Sequence, residues 1–194
     1  VEGGADYNAA FQEAFSGNRE TTPLLDALQD KDLKSRKVDL KKAALSAVMS
    51  IINDLAETAP GMLNEANIAG VTALSLAAKL GLDDVISKLI SVDVLDLNAP
   101  DTSGCVPILH AVKAGSSQAV KLLLEAGCNP NITSITKQHS LTSAMETSKP
   151  NMKIARYLIH SGLLNINLDL GPDDPGDIVH RVLKFHKKAP QKAL

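Results

Sequence analysis

In the middle of the chain, apolar residues fall into two short runs that are separated by glycines. The first run, 106–112, is followed by Gly115, and the second, 119–124, is followed by Gly127. Apolar residues spaced three and four apart predict amphipathic helices, and a glycine just beyond such a run is a common helix stop. Gly104 precedes the first run, where a tight turn needs a positive φ. The pattern therefore predicts a turn, a helix, a second turn, a second helix and a closing loop.

The same pattern recurs along the chain at a nearly constant interval. Gly70 lies 34 residues before Gly104 and is followed by the helix start Thr-Ala-Leu at 72–74. A turn–helix–turn–helix unit of about 33 residues is the period of the ankyrin repeat, and the chain resembles ankyrin-repeat proteins. The resemblance is strongest over 64–131 and weaker over 132–167. It implies an all-α solenoid, in which helix pairs stack side by side and short β-turn tips project from one edge.

The repeat register predicts how the chain is divided. We expect the end of a preceding repeat or a leader at 1–8, an atypical repeat at 9–63, ankyrin repeats at 64–98 and 99–131, a repeat with a lengthened turn at 132–167, and a partial or capping repeat at 168–194. The first residues match the Gly-Ala-x-x-Asn close of a repeat. Either the chain was cut from a longer protein, or this match arose by chance in a flexible leader.

Two of these units depart from the regular pattern. The atypical repeat carries a lysine-rich insertion at about 29–42, and apolar spacing predicts that its second helix runs over 38–56. The lysines form either a solvated helix face or a contact patch for an acidic partner or a phosphoinositide. In the repeat at 132–167, Lys137 replaces the turn glycine, and His139 and Ser140 replace Thr-Pro. These replacements predict a less preorganised turn and a weaker helix cap.

Composition narrows the function classes. Hydrophobic residues make up 44% of the chain but aromatic residues only 3%, so a core of Leu, Ile, Val and Ala is expected. A net charge of −2 and few base-stacking aromatics argue against nucleic acid. No apolar run reaches the length of a membrane span, so a membrane partner is not expected. Two cysteines make no disulfide framework, which indicates a cytoplasmic protein, or one in the host cytoplasm if it is a secreted bacterial effector.

Few residues are spaced for chemistry. Asp101, Cys105 and His110 are candidates for orienter, nucleophile and base, but the spacing supplies no oxyanion hole, so no catalysis is expected. No histidine pairs with a cysteine at metal-ligand spacing, so neither a metal nor another cofactor is expected. Cys128 follows Gly127 in a small-residue position and is expected to pack in the core.

The resemblance implies that a protein partner binds one concave edge, which is formed by the turn tips and the ends of the first helices. Three repeats contribute the partner-binding positions: Ile68, Ala69, Val71, Lys79, Leu80, Thr102, Ser103, Cys105, Lys113, Ala114, Ile135, Thr136, Gln138, Glu146 and Thr147. Apolar side chains at such positions are not needed for folding, and a row of them with a polar rim is typical of a binding patch.

The expected function is therefore a protein–protein interaction module with a partner that the sequence does not identify. The alternative is a targeting or substrate-recruiting segment of a larger enzyme or bacterial effector, whose catalytic domain lies outside this chain. Nothing in the sequence indicates self-association.

Overall fold

The computed structural model describes residues 23–29, 38–145 and 151–165, with side chains over 24–29 and from Leu45 onward within those ranges. Eight α-helices are described: α1 Pro23–Gln29, α2 Val38–Thr58, α3 Ala73–Leu80, α4 Asp83–Ile90, α5 Pro107–Ala114, α6 Ser117–Glu125, α7 Ser140–Met145 and α8 Met152–His160. A 3₁₀-helix at Pro60–Asn64 follows α2. These residues contain no strand, and Ala66 and Thr72 form an isolated β-bridge. The predicted all-α solenoid is confirmed.

The helices form two layers. Helices α1, α3, α5 and α7 pack side by side in the first layer, and α2, α4, α6 and α8 pack in the second. Each helix pair covers the apolar face of its neighbour, so one core runs through the whole stack. Leu89 and Leu123 occupy matching positions in α4 and α6, and both are fully buried, as the repeat register predicts.

The ends of the first-layer helices follow from their sequence. The Thr72 hydroxyl accepts a hydrogen bond from the Ser75 N–H and caps α3, while Pro107 starts α5 at a position where an N–H is dispensable. Gly81 and Gly115 end α3 and α5 with φ values of 66° and 72°. Glycine takes this left-handed conformation without steric cost, so each helix stops where the second turn must begin.

The long helix α2 holds much of the extra length of the atypical repeat. It has 21 residues, against 8 in α4 and 9 in α6, and it runs two residues beyond the predicted end. Val48 and Ile52 are buried, and Leu45 and Met49 pack against the core from the same face. A helix of this length presents a long apolar face to the helices at the first described end of the stack.

Asparagine side chains tie the loops after successive second helices together. The side-chain oxygens of Asn64, Asn98 and Asn131 each accept a hydrogen bond from a backbone N–H one repeat later, at 2.7, 2.8 and 2.7 Å. The side-chain amides of Asn64 and Asn131 also donate to the carbonyls of Val94 and Leu163. These bonds explain why an asparagine closes each unit of the sequence pattern, since its amide can accept and donate at once.

The repeat at 132–167 has the same turn backbone as its neighbours, although the residues that form it are different. Lys137 adopts a φ of 58°, close to the 73° of Gly104, so it does replace the turn glycine. His139 also supplies a cap: its Nδ1 accepts the Leu141 N–H at 3.2 Å. Helix α7 has six described residues and α8 begins at Met152. The lengthened turn between them falls on 146–150, outside the described residues, and stays a prediction.

Cys128 has the packing role that the sequence predicts. It is fully buried, and its Sγ donates to the carbonyl of Leu97 at 3.3 Å. Burial, with a smaller effect from the Asp96 carboxylate, raises the pKa of the Cys128 thiol to about 12. The thiol therefore stays protonated and unreactive at neutral pH.

Several expectations lie outside the described residues. These are the segment 1–8, the start of the atypical repeat, the side chains of the lysine-rich insertion, Glu146, Thr147, and the unit at 168–194. The repeat boundaries remain predictions. Among the described helices, none combines the length and the apolar character that crossing a membrane requires.

Candidate interaction surface at the turn tips

Three turns project from one edge of the stack, immediately before α3, α5 and α7. In the middle turn the Asp101 N–H donates to the Cys105 carbonyl at 3.0 Å, and the Gly104 N–H donates to the Asp101 carbonyl at 2.8 Å. The other two turns repeat both bonds. The side-chain oxygen that opens each turn, from Asn67, Asp101 or Ser134, accepts further backbone N–H groups. Each tip is thus held by its own backbone and first side chain.

The tips are also joined to one another. The Ala69 carbonyl accepts the Thr102 N–H at 3.0 Å, and the Ser103 carbonyl accepts the Ile135 N–H at 2.9 Å. A Cβ on Gly104 would lie 2.9 Å from the backbone nitrogen of Ile135, so glycine permits this close approach as well as the positive φ. The three tips therefore form one continuous row.

Two large apolar side chains project from this row. Ile68 is 74% exposed and Ile135 is 75% exposed, and the exposed Thr102 occupies the matching position between them. Lys79 and Lys113 are exposed at the ends of α3 and α5. Apolar side chains this exposed contribute little to the stability of the monomer and are available for contact with another molecule.

The structure sorts the predicted partner-binding residues into groups. Nine are exposed, and we call them the tip surface: Ile68, Ala69, Lys79, Thr102, Ser103, Lys113, Ala114, Ile135 and Thr136. Val71, Leu80 and Gln138 are partly buried, Cys105 is buried, and Glu146 and Thr147 lie outside the described residues.

Cys105 and Leu80 differ from the expectation that they face a partner. Cys105 is only 4% exposed, and Leu80 packs against the hydrophobic core. Cys105 points inward because it is the last tip residue before the first helix, and Val71 and Gln138 at the same position are partly buried. Leu80 is the last residue of α3. Sequence register identified the tips but did not resolve which side of each tip faces solvent.

A polar cluster underlies the middle tip. The His110 Nε2 lies 2.9 Å from the Asp101 Oδ2, and the Lys113 Nζ lies 3.1 Å from the Cys105 Sγ. Donor atoms of Asp101, Cys105 and His110 all lie within 4.8 Å of one another. Sequence reasoning considered these three residues but missed the contact with Lys113. The spacing of Cys105 and Lys113, eight residues apart, gives no signal for this contact, which depends on the path of the backbone.

Charge and burial set the protonation of this cluster. Burial opposes ionisation of Asp101, but hydrogen bonds from the N–H groups of Cys105 and Ser103 and from His110 outweigh it, so the pKa of the carboxyl lies below its usual value. Burial lowers the pKa of His110, and the Lys113 and Lys79 charges act in the same direction, so together they outweigh the hydrogen bond and charge of Asp101, which raise it. The cluster therefore holds a carboxylate and a neutral imidazole at neutral pH.

Comparison with known proteins identifies the repeats. The family profile described as "Ankyrin repeats (3 copies)" matches residues 40–134. Residues 40–134 belong to the ankyrin-repeat family. A crystal structure of an ankyrin repeat domain from Acinetobacter baumannii AYE has a TM-score of 0.60 and 26% identity to this protein, covering 82% of this chain and 70% of that one.

Two longer proteins are also similar to this chain. Ankyrin repeat and SAM domain-containing protein 6 of Rattus norvegicus is 26% identical over 170 residues, which cover 87% of this chain and 18% of the relative. The transient receptor potential cation channel subfamily A member 1 of Homo sapiens is 32% identical over 96 residues, 47% of this chain and 8% of the channel. The chain thus spans less than a fifth of either relative. Ankyrin repeats in general bind protein partners and are typically non-catalytic.

Proposed function

We propose that this protein is an interaction module that binds a protein partner through the tip surface. The observation that supports the proposal is the pair Ile68 and Ile135, two isoleucines that are about three-quarters exposed at matching positions of a rigid row. Leaving such side chains in water gains the monomer nothing, whereas burying each one against a partner is worth about 1.5–3 kcal/mol. The hydrogen bonds between tips hold the row in place, so little order has to be created on binding.

The chemistry of the tip surface defines the partner it would suit. Ile68 and Ile135 supply two apolar anchors, and Thr102 and Ser103 between them supply hydroxyl groups that donate and accept hydrogen bonds. Lys79 and Lys113 add positive charge at one margin. We therefore expect a folded partner with two apolar pockets and acidic residues beside them.

The decisive experiment compares two double substitutions. Partners captured from cell lysate with the parent protein are identified by mass spectrometry, and the affinity of the purified pair is then measured. The variant Ile68→Asp with Ile135→Asp should lose binding by about 30-fold or more, since even one anchor of this kind is worth about 2 kcal/mol or more on truncation. Its melting temperature should stay close to that of the parent, because both side chains are solvated.

Val94 and Leu163 provide the matched control. They are the other large hydrophobic side chains that are exposed in the described part of the chain, at 52% and 43%, and they lie in the loops that follow α4 and α8. Val94→Asp with Leu163→Asp changes charge and apolar area in the same way but leaves the tips intact. If this control weakens binding as much as the tip variant, the partner does not use the tip surface.

We also propose that the chain alone has no catalytic turnover. The thiol of Cys105 is buried and contacts Lys113, and the N–H groups of Ser103 and Cys105 already donate to Asp101, so these N–H groups are not free to stabilise an oxyanion. Cys105→Ala should leave partner binding within a few-fold. A hydrolase or transferase activity that disappears in a folded Cys105→Ala variant would contradict this proposal.

A second candidate function is a recruiting segment within a larger enzyme or effector. The small share of its relatives that the chain covers, 18% of the first and 8% of the second, favours this possibility. The reading frame on either side of the codons for Val1 and Leu194 tests it directly. An adjoining catalytic domain would support recruitment, and stop and start signals at both ends would favour the free module.

A further inference from the structure

We propose that Asp101, Cys105 and His110 form a binding site for one divalent transition-metal ion of the zinc class, beneath the middle turn tip. The donor atoms of these residues lie within 4.8 Å of one another. A carboxylate oxygen, a thiolate sulfur and an imidazole nitrogen are a donor set for zinc, which three protein residues bind while a water occupies the fourth position. Calcium and magnesium prefer oxygen ligands alone, so the thiolate and imidazole select against them.

The site is preorganised on its carboxylate side. The Asp101 Oδ1 accepts the N–H groups of Ser103 and Cys105 at 2.8 and 2.9 Å, and this holds Oδ2 toward the His110 ring, 2.9 Å from Nε2. The same bonds fix the backbone of Cys105 relative to the carboxylate. Hydrogen bonds that orient a metal ligand in this way strengthen metal binding.

Metal binding needs two changes in the surroundings. The His110 Nε2 faces the Asp101 carboxylate at 2.9 Å and so carries the ring proton, which has to move through water to Nδ1 before the Nε2 lone pair can bind the ion. The Lys113 ammonium contacts the Cys105 Sγ at 3.1 Å, and Lys113 is exposed at the end of α5, so it can turn into solvent. The incoming ion then replaces the proton of the thiol, which leaves to water, and a sulfur–metal bond forms. No oxidation or reduction is involved.

Neighbouring repeats show that the fold does not require these three residues. Asp101, Cys105 and His110 correspond by register to Asn67, Val71 and Leu76 in the preceding repeat, and to the set Ser134, Gln138 and Ser143 in the following one. All three tips nevertheless keep the same backbone hydrogen bonds. Among the described repeats, only the middle one carries three residues that can ligate a metal.

Cobalt(II) provides a direct probe, because a thiolate ligand gives it a charge-transfer absorption band and tetrahedral coordination gives it intense visible bands. The full 194-residue chain, reduced and without an affinity tag, is titrated with Co²⁺. We expect both sets of bands to saturate at one equivalent and to disappear when Zn²⁺ is added. Zinc alone should raise the melting temperature, because an ion that binds only the folded state stabilises it. Reduced protein that shows no thiolate-to-cobalt band would overturn the proposal.

Matched variants replace each ligand with the residue of the preceding repeat. Cys105→Val should abolish the charge-transfer band, and Asp101→Asn and His110→Leu should each weaken cobalt affinity at least ten-fold. Circular dichroism and the metal-free melting temperature should stay close to those of the parent, because Val71, Asn67 and Leu76 already serve these positions. The control Cys128→Ser removes the other thiol and should leave the cobalt bands unchanged. Bands that survive Cys105→Val, or that vanish with a folded Cys128→Ser, would place the metal elsewhere and overturn the proposal.

Discussion

The middle turn tip and the tip that follows it share one backbone but differ in almost every side chain. In the middle tip the Asp101 N–H donates to the Cys105 carbonyl at 3.0 Å. In the following tip the Ser134 N–H donates to the Gln138 carbonyl, also at 3.0 Å. The middle tip uses a glycine in the left-handed conformation, whereas the next uses Lys137. The geometry is therefore imposed on Lys137 by the bonds around it rather than chosen by its own preference.

The two helix starts after these tips make the same point. Helix α5 begins with Pro107, whose fixed φ suits the first helical position, while α7 follows His139, whose ring nitrogen accepts the Leu141 N–H. The proline acts through the backbone and the imidazole through a hydrogen bond that depends on protonation. A repeat can therefore keep its turn and helix start after the turn glycine and the cap residue are replaced, and the loss of stability that results can be measured.

The largest effect is expected in the second-layer core. Leu123→Ala should lower the free energy of unfolding by about 2–5 kcal/mol, because α6 packs between α4 and α8 and the cavity cannot easily close. Leu158→Ala, at the matching position of the next repeat, should cost less, since α8 packs mainly against α6 and α7 and no described helix follows it in the second layer. Urea unfolding measures both. An unchanged midpoint for Leu123→Ala would show that the repeat register is wrong.

Gly104→Ala should be the next most damaging change. The alanine would have to adopt a φ near 73°, which costs about 1–2 kcal/mol, and its Cβ would meet the backbone nitrogen of Ile135 at 2.9 Å. Lys137→Ala is the matched substitution in the following tip and should be nearly neutral, because the parent residue already bears the strain. Thermal unfolding should separate the two variants clearly. Equal losses would mean that the two tips do not share their backbone conformation in solution.

Lys137→Gly should make the third tip resemble the middle one. Glycine relieves the left-handed strain at a φ of 58°, and we expect a gain of about 0.5–1 kcal/mol. The measurement is the unfolding midpoint in urea, with Lys113→Gly as a control at an exposed helical position, where glycine should destabilise. A loss of stability in Lys137→Gly would show that the lysine side chain has a favourable role.

The smallest effect is a pH dependence located at His139. Burial lowers its pKa below 6.5, and Nδ1 can accept the Leu141 N–H only when it carries no proton. The unfolded state therefore binds the proton more readily than the folded state. The stability that the neutral His139 contributes is present above pH 6.5 and is lost as the pH falls through the lower pKa of the folded state. His139→Thr restores the cap residue found at Thr72 and should flatten the stability profile below pH 6.5. An unaltered profile would contradict the assignment.

Sequence periodicity by itself determined the architecture, because a helix pair with one apolar face can bury it only against a similar pair. It also predicted the long α2 and the buried Leu89 and Leu123. These features depend on the spacing of apolar residues along the chain, which can be read directly from the sequence.

Only the tertiary structure decided which tip side chains face water and which residues meet. Ile68 is exposed and Cys105 is buried although both belong to tips, because the direction of each side chain is set where the chain turns into its helix. The tip folds back over α5, and this brings together Asp101, Cys105, His110 and Lys113, although Lys113 is twelve residues after Asp101. Contacts of this kind depend on the path of the backbone through space, and no repeat period encodes that path.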